Sequence, residues 1–170
     1  MKLIIMSDNH GDAKIMKKIF HRHSEETEFF IHCGDSQLPY EDKYISDSLS
    51  VTGNCDYDQK YPKELIKKFS DQETMFITHG HYYKVKTTLS QLYYKALEIG
   101  ATIVCFGHSH CVSVSEIDGI IFINPGSLIY PRNTKEKTYA KLILESNSIK
   151  IEILNAENGE KISHYEFHRG

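Results

Sequence analysis

Long apolar runs are missing from this chain. None approaches the roughly 18 residues that read as a membrane-spanning helix, so no membrane span is expected. No cationic and apolar leader precedes the first strand, so no secretory signal is expected either. Basic blocks are absent and the formal net charge is −3 with histidines neutral, which argues against tight non-specific nucleic-acid binding. Cysteine is scarce: Cys33, Cys55, Cys105 and Cys111 form no Cys-x-x-Cys pair, which fits isolated thiols in a reduced, cytoplasmic protein. Repeats, low-complexity tracts and linkers are lacking too. A length of 170 residues with 40% apolar content fits a single domain over residues 1–170 with a sizeable core.

What the chain does contain is a series of short apolar segments that end in polar clusters. Residues 3–6 read as a strand buried on both faces, running into Ser7-Asp8-Asn9-His10-Gly11. Asp8 and His10 are two apart, so an extended chain points both side chains the same way. Asp12 or Gly11 caps a helix over about 13–23, with Ile15, Met16, Ile19 and Phe20 on its buried stripe. His21 and His23 at its C-terminal end are expected in solvent, where they complement the helix dipole. Residues 28–33 read as a strand with His32 packed or at an edge, ending in Gly34-Asp35. Residues 38–50 are polar and irregular with room for a short helix, and a brief strand over 49–52 ends in Gly53-Asn54-Cys55-Asp56.

Residues 64–69 and 74–78 look like a hairpin pair, the second strand delivering His79-Gly80-His81. Helical periodicity covers 87–99, with Gly100 where a C-cap belongs. A buried strand over 102–106 runs into Gly107-His108-Ser109-His110. Asp118-Gly119 is a hairpin signal between strands at 112–117 and 120–124, and Asn124-Pro125-Gly126-Ser127 reads as a tight turn. A polar loop over 130–137, strands near 139–145 and 150–154, and an edge strand over 161–168 complete the chain. Early crossovers suggest parallel strands and the later hairpins antiparallel ones, so two packed mixed sheets with outer helices accommodate both.

Five strand ends thus carry metal-type ligands: Asp8 with His10, then Asp35, Asn54, His79, and His108 with His110. The C-terminal edges of strands are where open α/β sheets place ligand sites. Carboxylate, imidazole and amide oxygen without thiolate suit manganese, iron or zinc rather than Cu(I) or an iron–sulfur cluster. In a two-metal site one carboxylate must bridge. Asp35 is the candidate, as the one clustered acid without a histidine two residues away.

The ordered set Asp8-x-His10, Gly34-Asp35, Gly53-Asn54, His79 and Gly107-His108-x-His110 resembles the calcineurin-like metallophosphoesterases, most closely the small bacterial and archaeal phosphodiesterases of the YfcE type. The resemblance spans about residues 3–130. It implies an α/β fold, a four-layer αββα sandwich of two mixed sheets flanked by helices. It implies that Asp8, His10, Asp35 and His110 bind one divalent metal and that Asp35, Asn54, His79 and His108 bind the other. Manganese is favoured, with iron, zinc, nickel or magnesium compatible. A hydroxide bridging the ions would attack phosphorus in line, with Asp35, Asn54, His79 and His108 as the catalytic set.

One position departs from the pattern. Many relatives have histidine directly after the asparagine, where it can protonate the leaving oxygen; this chain has Cys55. Cys55 is either a poor proton donor or a small filler. His81 either supplies the missing proton, hydrogen-bonds a metal ligand or contacts substrate. Arg132, in the polar loop, either reaches a phosphate or stays in solvent. The other cysteines read as core, and Asp12 and Asp56 as caps of helices or turns.

The leading expectation is a metal-dependent phosphodiesterase acting on a small phosphodiester, with no stable nucleic-acid partner and with a dimer or tetramer compatible. The competing expectation is a non-catalytic protein-interaction scaffold on the same fold, like a trafficking subunit that keeps much of the ligand set. Loss of histidine at Cys55 favours the scaffold slightly; the intact Asp35 and Asn54 favour the enzyme.

Overall fold

The computed structural model describes residues 1–169. Strand β1 (Lys2–Met6) shows how the layers arise. Its side chains alternate between faces. Leu3 and Ile5 enter the core between the two sheets, while Ile4 and Met6 pack beneath helix α1 (Ala13–His23), whose buried stripe is Ile15, Met16, Ile19 and Phe20. A strand apolar on both sides therefore needs a sheet on one face and a helix on the other.

The first sheet continues with β2 (Phe29–His32) and β3 (Ser48–Ser50), both parallel to their neighbours, joined by the short helix α2 (Lys43–Ser46). The second sheet begins with the antiparallel pair β4 (Glu64–Lys68) and β5 (Thr74–Thr78). After a 3-10 turn over His81–Tyr83 comes helix α3 (Ser90–Ile99), then β6 (Ile103–Cys105), parallel to β5. Strands β7 (Val112–Ile117) and β8 (Ile120–Pro125) form the expected hairpin, with Asp118 and Gly119 both at positive φ, as a tight two-residue turn requires. The chain then returns to the first sheet with β9 (Thr138–Leu144), β10 (Ser148–Asn155) and the edge strand β11 (Lys161–His168).

The sheet orders are β11-β10-β9-β1-β2-β3 and β4-β5-β6-β8-β7. Inter-sheet packing is Leu3, Ile5, Ile31, Ile77, Ile103, Ile123, Leu142 and Ile151, among others. A third cluster, with Phe76, Leu92, Ala96, Val104, Phe106 and Phe122, seats α3 on the second sheet. This is the expected four-layer αββα sandwich of mixed sheets. Each buried Leu or Ile contributes about 1.5–3 kcal/mol through removal from water, so this layered core is the rigid support for the loops above it. No helix among the described residues is long and apolar enough to cross a membrane.

Three expectations need correction. His23 is buried rather than solvated: its Nε2 lies 2.8 Å from the Tyr139 hydroxyl on β9, and Nδ1 lies 2.8 Å from Glu26 Oε1. The partner that buries it is 116 residues away, so the local helix pattern could not reveal it. Helix α3 starts at Ser90 rather than Thr87, because the Thr88 hydroxyl accepts the Ser90 N–H and ends the preceding turn there. Cys111 is half-buried, whereas Cys33 and Cys105 are core as expected.

Candidate metal centre

Five loops meet at one end of the sandwich, each leaving the C-terminal end of a strand or the segment after it. Five of the seven candidate ligands enter through unusual backbone. Asp8, His10, Asp35, His108 and His110 all have positive φ, between 41° and 67°, and they make up five of the eight non-glycine residues in that region among those described. Such conformations cost about 1–3 kcal/mol each and persist where surrounding structure enforces them. Enforcement here comes from hydrogen bonds between loops. The Asp8 N–H donates to Gly34 O at 3.1 Å, His10 N–H to Asp35 O at 3.1 Å, and Gly107 N–H to His79 O at 3.0 Å. Two glycines permit this closeness: a Cβ at Gly53 would lie 2.0 Å from Asp35 Oδ1, and one at Gly107 2.0 Å from Ser7 Oγ.

The side chains converge in two groups. The ligand atoms of Asp8, His10 and His110 lie within 4.8 Å of one another, and so do those of Asp35, His79 and His108. Asp35 also falls within that span of His10 and Cys55, so it stands between the groups. Asn54 joins the second through Oδ1, 3.1 Å from His79 Nε2. All seven candidate ligands are therefore brought together.

Hydrogen bonds on the far side of three of the four rings fix which nitrogen faces inward. His79 Nδ1 donates to Cys33 O at 2.7 Å, His110 Nδ1 to Tyr130 O at 2.8 Å, and His10 Nδ1 to Gln37 Oε1 at 2.8 Å. In the neutral rings each Nε2 then presents a lone pair to the centre. Facing those lone pairs are more acceptors. His79 Nε2 is 3.3 Å from Asp35 Oδ2, His110 Nε2 is 3.2 Å from Asp8 Oδ1, and His10 Nε2 is 3.3 Å from His110 Nε2. Asp8 Oδ1 is buried and accepts no well-formed hydrogen bond despite the nearby ring. A buried carboxylate oxygen without a donor is costly. A set of acceptors aimed at one another fits a cation between them, and nitrogen with carboxylate oxygen suits divalent transition metals.

Electrostatics reinforce the donor set. Burial pushes the Asp35 carboxyl up, but the His79 ring and the Cys55 amide outweigh it and hold the group well below the usual carboxylate range. Burial likewise opposes ionisation of Asp8, and His110, His79 and Ser7 overcome it. His108 is pushed down to about 4, chiefly by burial, so its ring is neutral and available as a ligand at pH 7.

Several further residues hold the ligand loops in place. Asp56, expected as a turn cap, caps backbone from two loops, accepting the N–H groups of Asp35 at 2.8 Å, Gln37 at 2.7 Å and Gly53 at 2.7 Å. Ser127 Oγ donates to Asp8 O at 2.8 Å and Asn124 Nδ2 to Gly107 O at 2.9 Å, so the Asn-Pro-Gly-Ser stretch clamps two ligand loops. Buried His32 sits 2.8 Å from Asn9 Oδ1. The asparagine-proline-glycine-serine signature was the one visible signal for these roles. Asp12 caps α1, its Oδ1 accepting Lys14 N–H at 2.9 Å.

The remaining candidates lie at the periphery. Cys55 is exposed, and its thiol is pushed up by burial and then by the Asp35 charge, so it keeps its proton at neutral pH. His81 lies with its ring centroid 5.4 Å from that of His79, with Nδ1 buried and unpartnered. Arg132 is exposed, but its backbone N–H donates to His110 O at 3.0 Å, which ties its loop to the cluster.

Comparison with known proteins accords with this arrangement. The chain belongs to the calcineurin-like phosphoesterase superfamily, whose domain model matches residues 1–147. It is 36% identical over 160 residues to the probable metallophosphoesterase YsnB of Bacillus subtilis (strain 168), covering 94% of each chain. A crystal structure of a conserved protein of Streptococcus pneumoniae TIGR4, described as a predicted phosphoesterase, superposes with a TM-score of 0.92 at 30% identity, covering 99% of this chain and 97% of that one. Vps29 from Entamoeba histolytica, solved in complex with zinc, shares the fold at a TM-score of 0.77 and 19% identity, covering 99% of both chains. Membership of this family assigns the chain to the metal-dependent phosphoesterases.

Proposed function

We propose that this chain is a phosphodiesterase that works with two divalent ions, manganese favoured, on a small phosphodiester. The observation that carries the reading is the position of Asp35, which belongs to ligand groups on both sides of it. Asp8, His10, Asp35 and His110 would hold one ion, and Asp35, Asn54, His79 and His108 the other. When bound, the ions would supply Lewis-acid stabilisation of the phosphoryl oxygens and lower the pKa of an attacking water.

The chain's own residues do the rest. Carbonyls of Cys33 and Tyr130 accept from Nδ1 of His79 and His110 and so turn each Nε2 toward the centre. The Cys55 amide holds Asp35 Oδ1 at 2.7 Å, which leaves Oδ2 turned to His79. Asn54 and Cys55 are exposed, and His10 and His108 are partly so, which leaves an open face for a phosphorus bearing two substituents. Arg132, whose backbone N–H donates to His110 O at 3.0 Å, would meet a phosphoryl oxygen from its loop. Cys55 stands where many relatives carry a proton-donating histidine, so diesters with good leaving groups would be the preferred substrates.

A scaffold reading draws on the Vps29 likeness, which at 19% identity concerns fold alone. Sustained turnover of bis-p-nitrophenyl phosphate with manganese, abolished in Asp35→Asn, is the expected result. A metal-loaded, folded protein without turnover on any diester would transfer the weight to the scaffold.

A further inference from the structure

Beside the ligand cluster runs a groove that the reaction above leaves unused. Its cavity of about 480 Å³ is lined by Asn54, Tyr57, Gln59, Lys63, His81 and Tyr82, among others. Small-molecule pockets typically span about 300–1,000 Å³. Asn54 belongs to both places, since its Oδ1 is 3.1 Å from His79 Nε2. His81 connects them as well: its ring centroid is 5.4 Å from that of His79, 6.0 Å from that of His108 and 3.9 Å from that of Tyr82. A row of rings therefore leads from the centre into the groove.

The chemistry of the lining is specific. Tyr57 is 68% exposed and Tyr82 57% exposed, so neither ring serves the core. The Lys63 ammonium stands 5.7 Å from the Tyr82 centroid and makes no ion pair among the described residues. His81 Nδ1 is buried there without a partner. No aliphatic side chain lines the groove among the described residues. A lipid-like arm would find no aliphatic surface and would dehydrate the amides and carboxylates for nothing in return. A planar ring with hydrogen-bonding edges meets both kinds of surface, since exposed aromatic side chains stack any base through its π-face.

We infer that this groove is the subsite for one arm of the diester and that the arm it accepts is a nucleoside. The base stacks against the tyrosine rings, Lys63 and Gln59 serve its polar edge, and the phosphorus sits at the Asp35 cluster. This inference rests on the phosphodiesterase reading and adds the substrate class to it.

The test uses diesters with one leaving group and three different second arms: the p-nitrophenyl esters of thymidine 5′-phosphate, methyl phosphate and glyceryl phosphate, with manganese at one pH. The thymidine ester is expected to exceed the other two in kcat/KM by about tenfold or more, the scale of one stacked base. Reading the ratio within each variant cancels any general loss of activity. Tyr57→Ala and Tyr82→Ala should each collapse the ratio toward one, Tyr82→Phe should keep it, and Tyr94→Ala, exposed on α3, should leave it untouched. A wild-type ratio near one, or a ratio indifferent to both alanine variants, overturns the subsite while leaving the phosphodiesterase standing. If no diester is turned over, the reaction itself is wrong, and calorimetric binding of thymidine 5′-phosphate decides the subsite alone. Binding weakened about tenfold by Tyr82→Ala sustains it, and binding absent or unchanged in the variant ends it.

Discussion

The backbone N–H of Asp35 donates to Asp56 Oδ2 at 2.8 Å, and the same oxygen accepts the N–H of Gly53 at 2.7 Å. One carboxylate thus locks the loop of the shared candidate ligand to the loop of Asn54. Asp56→Ala would leave those N–H groups without their partner and loosen both loops. Groups that orient metal ligands are typically worth about 10–100-fold in metal affinity or activity. Calorimetric titration with Mn²⁺ is expected to show a loss of that order with the circular dichroism spectrum unchanged. Wild-type affinity in a folded variant would remove Asp56 from the site.

Asp35 itself should matter more. On the two-ion reading its carboxylate would serve both ions, so Asp35→Asn would remove charge from two ions at once. We expect two manganese ions per wild-type chain and fewer in the variant, counted by elemental analysis after equilibrium dialysis. One ion or none in the wild type under saturating manganese would contradict the two-ion reading.

Cys55 tests the proton supply. Its thiol keeps its proton, with its pKa raised by burial and by Asp35, and is a weak donor to an alkoxide. Cys55→His should accelerate esters with poor leaving groups more than nitrophenyl esters, since general acid help is typically worth ~10²–10⁴-fold where it operates. Equal effects on alkyl and nitrophenyl esters would remove this role.

Diesters should outrun monoesters. Two divalent ions would carry four positive charges, and Asp8, Asp35 and a hydroxide would bring three negative ones, which would leave the centre about one charge positive. A singly charged diester neutralises that, while a dianionic monoester overshoots. Residues 36–53 and 80–107 contain only α2, β3, the 3-10 turn, α3 and β6 between ligands, none of them a cap over the site. With manganese at one pH, kcat/KM on bis-p-nitrophenyl phosphate should exceed that on p-nitrophenyl phosphate, and a reversed ratio would refute the charge count.

Far from the centre, Glu26 ties α1 to the first sheet through Lys141, His23 and Lys2. Those partners, Lys141 first, hold its carboxyl down at about 2 from a usual 4.5. A depressed folded-state pKa stabilises above the unfolded value. The contribution is therefore complete above about pH 4.5 and disappears as pH falls through 2. The carboxylate is 34% exposed, so solvent screening limits the gain to about 1 kcal/mol. Glu26→Gln should lower Tm by a few degrees at pH 7, with the gap closing in melts below pH 4. A gap constant from pH 7 to 3 would contradict this.

The sequence by itself determined the layers and the ligand inventory. Apolar runs such as Leu3–Met6 declare strands covered on both sides, and a polar cluster at a strand end must emerge at the sheet edge, because side-chain alternation and strand length are local properties. His79 and the His108/His110 pair were legible for that reason. Tertiary structure alone decided which strands became neighbours. Strand β1 pairs with β9, more than a hundred residues later, and that return brings Tyr139 over His23 and buries it. The same holds for Asp56, whose acceptor oxygens meet amides from a loop about twenty residues earlier. It holds too for the groove, where Tyr57 and Tyr82 come from segments on either side of the β4–β5 hairpin. Contacts of this kind are set by how whole sheets pack, and no periodicity within a single segment encodes them.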